Sequence, residues 1–351
     1  MKPASSVSRL CRLVVVFGAW VVSSCAPSGF VSESEVDTVR ILGSSASTPY
    51  ALPGAQVTVS VLAYDGRPTR PEPMAISWFP PCINPKSDAY YNCFPKFASL
   101  AGAVGPGQNL SSVLPSGEDY TFTMPADAVS THSLIPGTPT VDGVPAYYGL
   151  AILFNIACAG HLELLPGDSA ANSPQSLPLG CFDSQHNQLG PEDFVFGFTT
   201  VYAYEAGLLA ALSNTNPVID SIDFNGQTLT ANADGVTYTA PALAHCAGST
   251  CNSVKVGPSV PESSWEVNPE EFDVTGSPLH EEIWADFYVT FGSLSDDARL
   301  LYSSGNGSVG GLNDTDDTFT PPSDPGTGYL WIVVHDNRGG ATWVTIELTV
   351  N

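Results

Sequence analysis

The chain has 351 residues, 43% of them hydrophobic and only 13% charged, with 35 Asp and Glu against 11 Lys and Arg and a formal net charge of −24. So apolar a chain is no disordered polyelectrolyte, and its length suggests about two domains. So acidic a surface repels phosphate backbones and anionic headgroups, which argues against nucleic-acid binding and against direct electrostatic docking on lipid.

Lys2, Arg9 and Arg12 precede an apolar run, Leu13 to Val22, that is too short to span a bilayer and is followed by small residues. That is the layout of a secretory signal. The segment Val22-Ser23-Ser24-Cys25 resembles the lipobox of bacterial lipoproteins. The resemblance implies a signal peptide over 1–24, cleavage before Cys25, a diacylglycerol on the Cys25 sulfur and an acylated amine; plain secretion is the alternative. Cysteine arithmetic agrees with the anchor. Cys11 lies in the signal, and with Cys25 lipidated an even set remains: Cys82, Cys93, Cys158, Cys181, Cys246 and Cys251. These can all pair in an oxidising compartment, and although six cysteines leave many connectivities open, chain proximity favours Cys82 with Cys93, Cys158 with Cys181 and Cys246 with Cys251.

Residues 25–38 are small, polar and acidic and read as a flexible tether. From Val39 onward short alternating runs are broken by Gly, Pro, Asn and Asp, the texture of strands and turns. Gln56 to Ala63 puts Val57, Val59, Val61 and Ala63 on one face, and Ala75 to Phe79 follows with Trp78 as a candidate core centre. The excursion PPCINPKSDAYYNCF, clipped by Cys82 and Cys93, carries Tyr90 and Tyr91, a candidate recognition surface. Tyr120 to Met124 is a further strand, and Ser99 to Gly117 and Val129 to Gly143 read as loops. Tyr147 to Ala159 is continuously apolar, so it is expected at the centre of a sheet and buried on both sides, with Phe194 to Tyr204 as its return strand. Ala206 to Leu212 suggests helix before the breaker Ser213-Asn214-Thr215-Asn216-Pro217.

Beyond that linker, Val218 to Phe224 turns at Asn225-Gly226, Glu282 to Phe291 alternates large residues, and Tyr329 to His335 and Thr342 to Val350 flank Asp336-Asn337-Arg338-Gly339-Gly340 as a hairpin. This closing stretch resembles the last hairpin of bacterial immunoglobulin-like and PKD-like domains, with Asp336, Gly339 and Gly340 in the turn and FYVTFG, Phe287 to Gly292, as the central aromatic strand. Gln56 to Phe79 is broadly similar to an immunoglobulin-like domain that lacks the inter-sheet cysteine pair. The whole chain resembles surface lipoproteins of Gram-negative bacteria. The expected fold is therefore all-β: two immunoglobulin-like β-sandwiches in tandem, over 39–212 and 218–351, joined by a linker at 213–217.

Chemistry is sparse. His280-Glu281-Glu282-Ile283-Trp284 lacks the second histidine of a zinc-protease motif, and Gly305 to Gly310 fits G-x-G-x-x-G without a following helix to hold a phosphate. No nucleophile elbow is present, and His132, His161 and His186 fall in or beside loops. Asn313 to Asp317 supplies hard oxygen donors, so Asp314, Asp316 and Asp317 form a candidate calcium site; no other cofactor is expected. The expectation is a non-catalytic, lipid-anchored protein of the cell envelope, sorted to the outer membrane, with a structural or recognition role and a protein or glycan ligand. A calcium-stabilised adhesin and an extracellular glycan-binding or hydrolase accessory protein are the alternatives. The last of these requires carboxylates or exposed aromatic residues that converge on one concave surface.

Overall fold

The alternation of Gln56 to Ala63 becomes a strand, Gln56–Asp65, with Val57, Val59 and Val61 buried and the residues between them half-buried. A computed structural model describes residues 32–101, 107–133, 140–141, 143–165, 179–247, 251–304 and 314–351. The expected signal 1–24 and Cys25 lie outside the described residues. In chain order the first strands are β1 (Val39–Ala46), β2 (Tyr50–Ala51), β3 (Gln56–Asp65), β4 (Ala75–Trp78), β5 (Cys82–Ile83), β6 (Asp119–Thr123), β7 (Thr140–Val141), β8 (Val144–Pro145), β9 (Tyr148–Cys158), β10 (His161–Leu164), β11 (Leu179–Phe182) and β12 (Phe194–Tyr204).

One sheet runs β1-β3-β6, and a second runs β2-β12-β9-β4 with β5 also on β9. Their facing sides enclose Val57, Val59, Trp78, Phe122, Met124, Leu153 and Val201. Trp78 is fully buried, stacks on Tyr120 at 5.5 Å and donates its indole N–H to the Gly117 carbonyl at 2.8 Å, so its one polar atom is satisfied inside the core. Burial of about 200 Å² of ring surface contributes on the order of 5 kcal/mol before entropy is counted.

β9 is buried on both faces, as its unbroken apolar run requires. Ala151, Leu153 and Ala157 face the sandwich core, while Leu150, Ile152, Phe154 and Ile156 face an outer layer. That layer is built from the excursion and from the β10–β11 hairpin, through Phe79, Phe94, Phe97, Leu162 and Leu179. Part of the expected loop at 99–117 is helical instead: Phe94–Ala101 forms a helix because Phe94 and Phe97, three residues apart, both dock onto Phe154.

The second half continues with β13 (Ser221–Phe224), β14 (Gln227–Leu229), β15 (Thr237–Thr239), β16 (Val254–Ser259), β17 (Val267–Phe272), β18 (Pro278–His280), β19 (Ile283–Val289), β20 (Ser293–Leu294), β21 (Ala298–Tyr302), β22 (Asp317–Thr320), β23 (Gly326–Asp336) and β24 (Ala341–Val350). Sheets of order β14-β13-β16-β22-β20 and β15-β24-β23-β19-β21 close over Ile222, Phe224, Val256, Phe287, Phe319, Ile332 and Ile346. Asn225 and Gly226 both take positive φ, +56° and +78°, in the two-residue turn between β13 and β14. In the closing turn the Asp336 carboxylate accepts from the backbone N–H groups of Arg338 and Gly340, each at 2.8 Å.

Two expectations about spacers need correction. The tether expected over 25–38 does not extend through its last residues: Ser34 and Val36 are buried, Val36 donates to the Val289 carbonyl at 2.9 Å, and Val289 donates back to Ser34 at 2.7 Å. Val36 reads as part of a polar stretch, but it packs with Leu42 and Trp331, and Gly66 lets it approach; a Cβ there would stand 2.3 Å from the Val36 carbonyl oxygen. Nor does the 213–217 linker hang free. Asn216 donates to the Ala46 carbonyl at 2.8 Å and accepts from the Ala341 N–H at 3.1 Å, and Thr215 donates to Glu266.

These contacts belong to a seam at which the outer face of β1 and β3 meets the outer face of β23 and β24. Leu62, Tyr64, Tyr288 and Trp331 fill it, with Tyr64 and Trp331 at 4.8 Å, and Ser45 donates to the Ala341 carbonyl at 2.6 Å. A buried arginine closes one side of it. The Arg338 guanidinium lies 4.9 Å from the Tyr50 ring, donates to Glu281 at 2.8 Å and to the Ser213 carbonyl at 3.3 Å, and makes a further short bond to the Leu212 carbonyl. Residues Ser34–Asn351 accordingly form one compact body.

Candidate functional site

Strand alternation carries aromatic residues from the seam out into a cleft. On β23 Trp331 is buried, and Tyr329 and Thr327, on the same face, emerge beside Glu347 and Thr349, their direct cross-strand partners on β24. On β3 Tyr64 follows Leu62 on the outer face and meets Tyr329 edge-on at 5.8 Å. The chain then turns at Gly66 and returns Pro68 and Arg70 to the opposite wall. The resulting cleft has a volume of about 810 Å³. That is within the usual range for small-ligand sites, which favour such junctions.

Arg67 anchors the wall that bears Arg70. It is buried, binds both oxygens of Asp65 at 2.8 Å and reaches Asp193 at 2.5 Å. Burial acts to raise the Asp65 carboxyl, but the hydrogen bonds and charge of Arg67 outweigh it and hold the group below its ordinary value. Arg70, half-exposed, lies 5.3 Å from the Tyr64 ring centre and donates to the Tyr64 hydroxyl at 3.3 Å. Across the cleft, Glu347 accepts from Thr239 at 3.0 Å. A planar guanidinium, a carboxylate, threonine hydroxyls and two aromatic rings thus face one space. Such a set can hold a polar ring that has one apolar face.

The residues singled out from sequence lie elsewhere. Tyr90 and Tyr91 are both partly exposed, at 43% and 39%, and touch edge-on at 5.8 Å; Tyr90 also stacks on Phe198 at 5.1 Å. They therefore form a small exposed aromatic patch on the stapled excursion. Asp314, Asp316 and Asp317 are not brought to one point. Asp317 is fully buried and accepts from Ser295, from Asp296 N–H and from Arg299; Asp314 pairs with Arg299 at 3.7 Å and Lys255 at 3.6 Å; Asp316 lies over Gly257. His280 bonds the Trp265 carbonyl and Glu281 bonds Arg338, so the protease-like pentapeptide is used in packing. The disulfides join Cys82 to Cys93, Cys158 to Cys181 and Cys246 to Cys251, and such bonds persist in an oxidising, extracytoplasmic compartment. No helix among the described residues is long and apolar enough to cross a membrane.

One constellation escaped the sequence reading. His161 and Glu163, two apart on β10, share a face, and His186, in the turn after β11, reaches the same carboxylate. Oε1 of Glu163 lies 2.6 Å from Nε2 of His161 and 2.5 Å from Nδ1 of His186. Among the described residues this is the one group of three His, Cys, Asp or Glu whose ligand atoms all lie within 4.8 Å of one another. The usable signal was the disulfide. His161 and Glu163 closely follow Cys158, and His186 closely follows Cys181, so pairing those cysteines brings both segments together.

No protein-family profile matches the sequence, and no curated protein matches it. Among solved structures the chain is similar to the fibronectin(III)-like modules of CbhA from Clostridium thermocellum, at 10% identity over 89% of this chain and 94% of that one, with a TM-score of 0.20. It is similar to the D0-D1 domain of Intimin, at 9% identity over 88% and 98%, TM-score 0.18, and to the tandem Ig repeats of Dlar, at 10% identity over 90% and 98%, TM-score 0.21. At these scores the likeness carries no argument about ligand or module placement, and the β-sandwich architecture rests on the strands themselves.

Proposed function

We propose that this chain is a non-catalytic recognition protein of the cell envelope, held by a lipid on Cys25, that takes a neutral glycan into the cleft at the seam. The observation that carries the reading is the cleft: Arg70, Tyr64, Tyr329 and Glu347 converge there from both sandwiches. A sugar ring has an apolar face for the tyrosines and a rim of hydroxyls for the guanidinium and carboxylate. The presence of both charges favours an uncharged ligand over an anionic one. The three disulfides support work outside the cytoplasm.

An array of neutral oligosaccharides probed with the full chain tests the cleft. Arg70→Ala and Tyr329→Ala should each weaken binding about 10- to 100-fold, as central contacts do, with little change in thermal melting because both side chains are substantially exposed. Equal binding by the variants, or no binding by the parent chain, overturns the assignment. The anchor has its own test: Cys25→Ser should move the protein from the membrane pellet to the soluble fraction, and continued sedimentation with membranes rules the lipid out.

A further inference from the structure

We propose that His161, Glu163 and His186 form a zinc site that clips the outer-layer hairpin. Two imidazole nitrogens and one carboxylate oxygen are a borderline donor set that suits zinc, whereas calcium asks for six or more oxygens and this site supplies a single carboxylate. Ligand atoms around tetrahedral zinc stand about 3.4 Å apart, given bond lengths near 2.1 Å. Here the two nitrogens lie 2.6 and 2.5 Å from the shared oxygen, and all three atoms are within 4.8 Å of one another. Small side-chain rotations therefore admit the ion.

The surroundings fit a built site. The Glu163 side chain is only 5% exposed, so its two nearby imidazoles are the positive or polar groups that balance it in the cluster. His186 adopts a φ of +63°, a conformation that a non-glycine residue holds only when its surroundings fix it. Asp183 does so: its carboxylate accepts from the N–H groups of Gln185 and Asn187, at 2.9 and 2.8 Å, and its carbonyl accepts from His186 N–H at 3.0 Å. The Cys158–Cys181 disulfide ties the bases of both segments together. Three protein ligands leave one tetrahedral position open, and the 63% exposure of the His186 side chain sets it beside solvent, where water or a donor from a bound molecule can complete the shell.

The test uses the untagged full chain, stripped with a chelator and dialysed, then titrated with zinc by calorimetry and with cobalt by visible absorption. One equivalent of zinc should bind and raise the melting temperature, and cobalt added to the stripped chain should give the spectrum of a four- or five-coordinate site that zinc then displaces. His186→Ala, which removes an exposed side chain and so spares the fold, should weaken zinc binding about 100-fold or more, and Glu163→Gln should do the same. His132→Ala, at an imidazole paired with Asp88 outside this cluster, should leave binding unchanged. No zinc uptake at micromolar metal, or unaltered uptake by His186→Ala, overturns the proposal.

Discussion

Replacing Arg338 by alanine is expected to destabilise the Ser34–Asn351 body by about 3–5 kcal/mol, the loss typical of removing one partner from a buried ionic network. The guanidinium serves four groups at once: the Tyr50 ring, Glu281, and the carbonyls of Leu212 and Ser213. Its deletion leaves two carbonyls and a carboxyl without their donor at a place where water has little access, and an unmet buried acceptor costs about 1–3 kcal/mol. Lysine should not rescue the variant, because one ammonium cannot lie flat on Tyr50 and bond three separated oxygens. Urea unfolding followed by tryptophan fluorescence reads the effect. A loss below about 1 kcal/mol, or full rescue by Arg338→Lys, would show that the network is ornamental to the seam.

Stability should also fall as pH rises from about 5 to 8, and Glu281→Gln should abolish most of that slope. Glu281 is completely buried; burial first, and the neighbouring Asp336 carboxylate second, push its carboxyl from 4.5 up to about 8 in spite of Arg338. One guanidinium faces two carboxyls, so one of them keeps its proton. Among the described residues Oε2 of Glu281 has no hydrogen-bond partner, which makes ionisation costlier still. Below pH 4.5 the carboxyl is protonated in both folded and unfolded chains. Between 4.5 and 8 the unfolded chain releases the proton and the folded chain retains it, so folding is progressively disfavoured; above 8 the cost is complete, on the order of 4–5 kcal/mol. Asp336 and Glu270, also raised by burial, slope the same way, whereas Asp65 and Glu163 are held low and lose their contribution only in acid. Glu281→Gln should match the parent near pH 5 and exceed it at pH 9. Parallel urea midpoints across that range would refute the account.

Strands whose neighbours are all of one kind were the legible ones. Phe194–Tyr204, the helix Ala206–Leu212 and the hairpin of β23 and β24 follow from alternation, breakers and turn residues in their own segments. β9 was legible because a strand with apolar residues on both faces has to be covered twice. The seam was not, since period-two alternation assigns Leu42, Leu62, Tyr64 and Trp331 to an outer face and is silent on whether that face meets water or a second sandwich. The cleft inherits the same silence: Arg70 and Tyr329 are 259 positions apart, and only the packing of two sheets makes them neighbours. Even so, Arg67 and Arg70 are two of 11 cations in an acidic chain, a local clue to an unusual wall. The aspartates 314, 316 and 317 misled for the converse reason: crowding along the chain says little about partners, and here Lys255 and Arg299 take Asp314 while Ser295 and Arg299 take the buried Asp317.

The welded seam has a kinetic meaning. A receptor whose two lobes swing must halt that motion each time it engages a guest, and the lost freedom is deducted from its grip. Here the lobes are already locked by Trp331 on one side and Arg338 on the other, so the proposed binding mouth has its final shape before anything enters. Arrival should follow a single diffusive step with no slower clamping phase, and discrimination between guests should reside in how fast each one leaves.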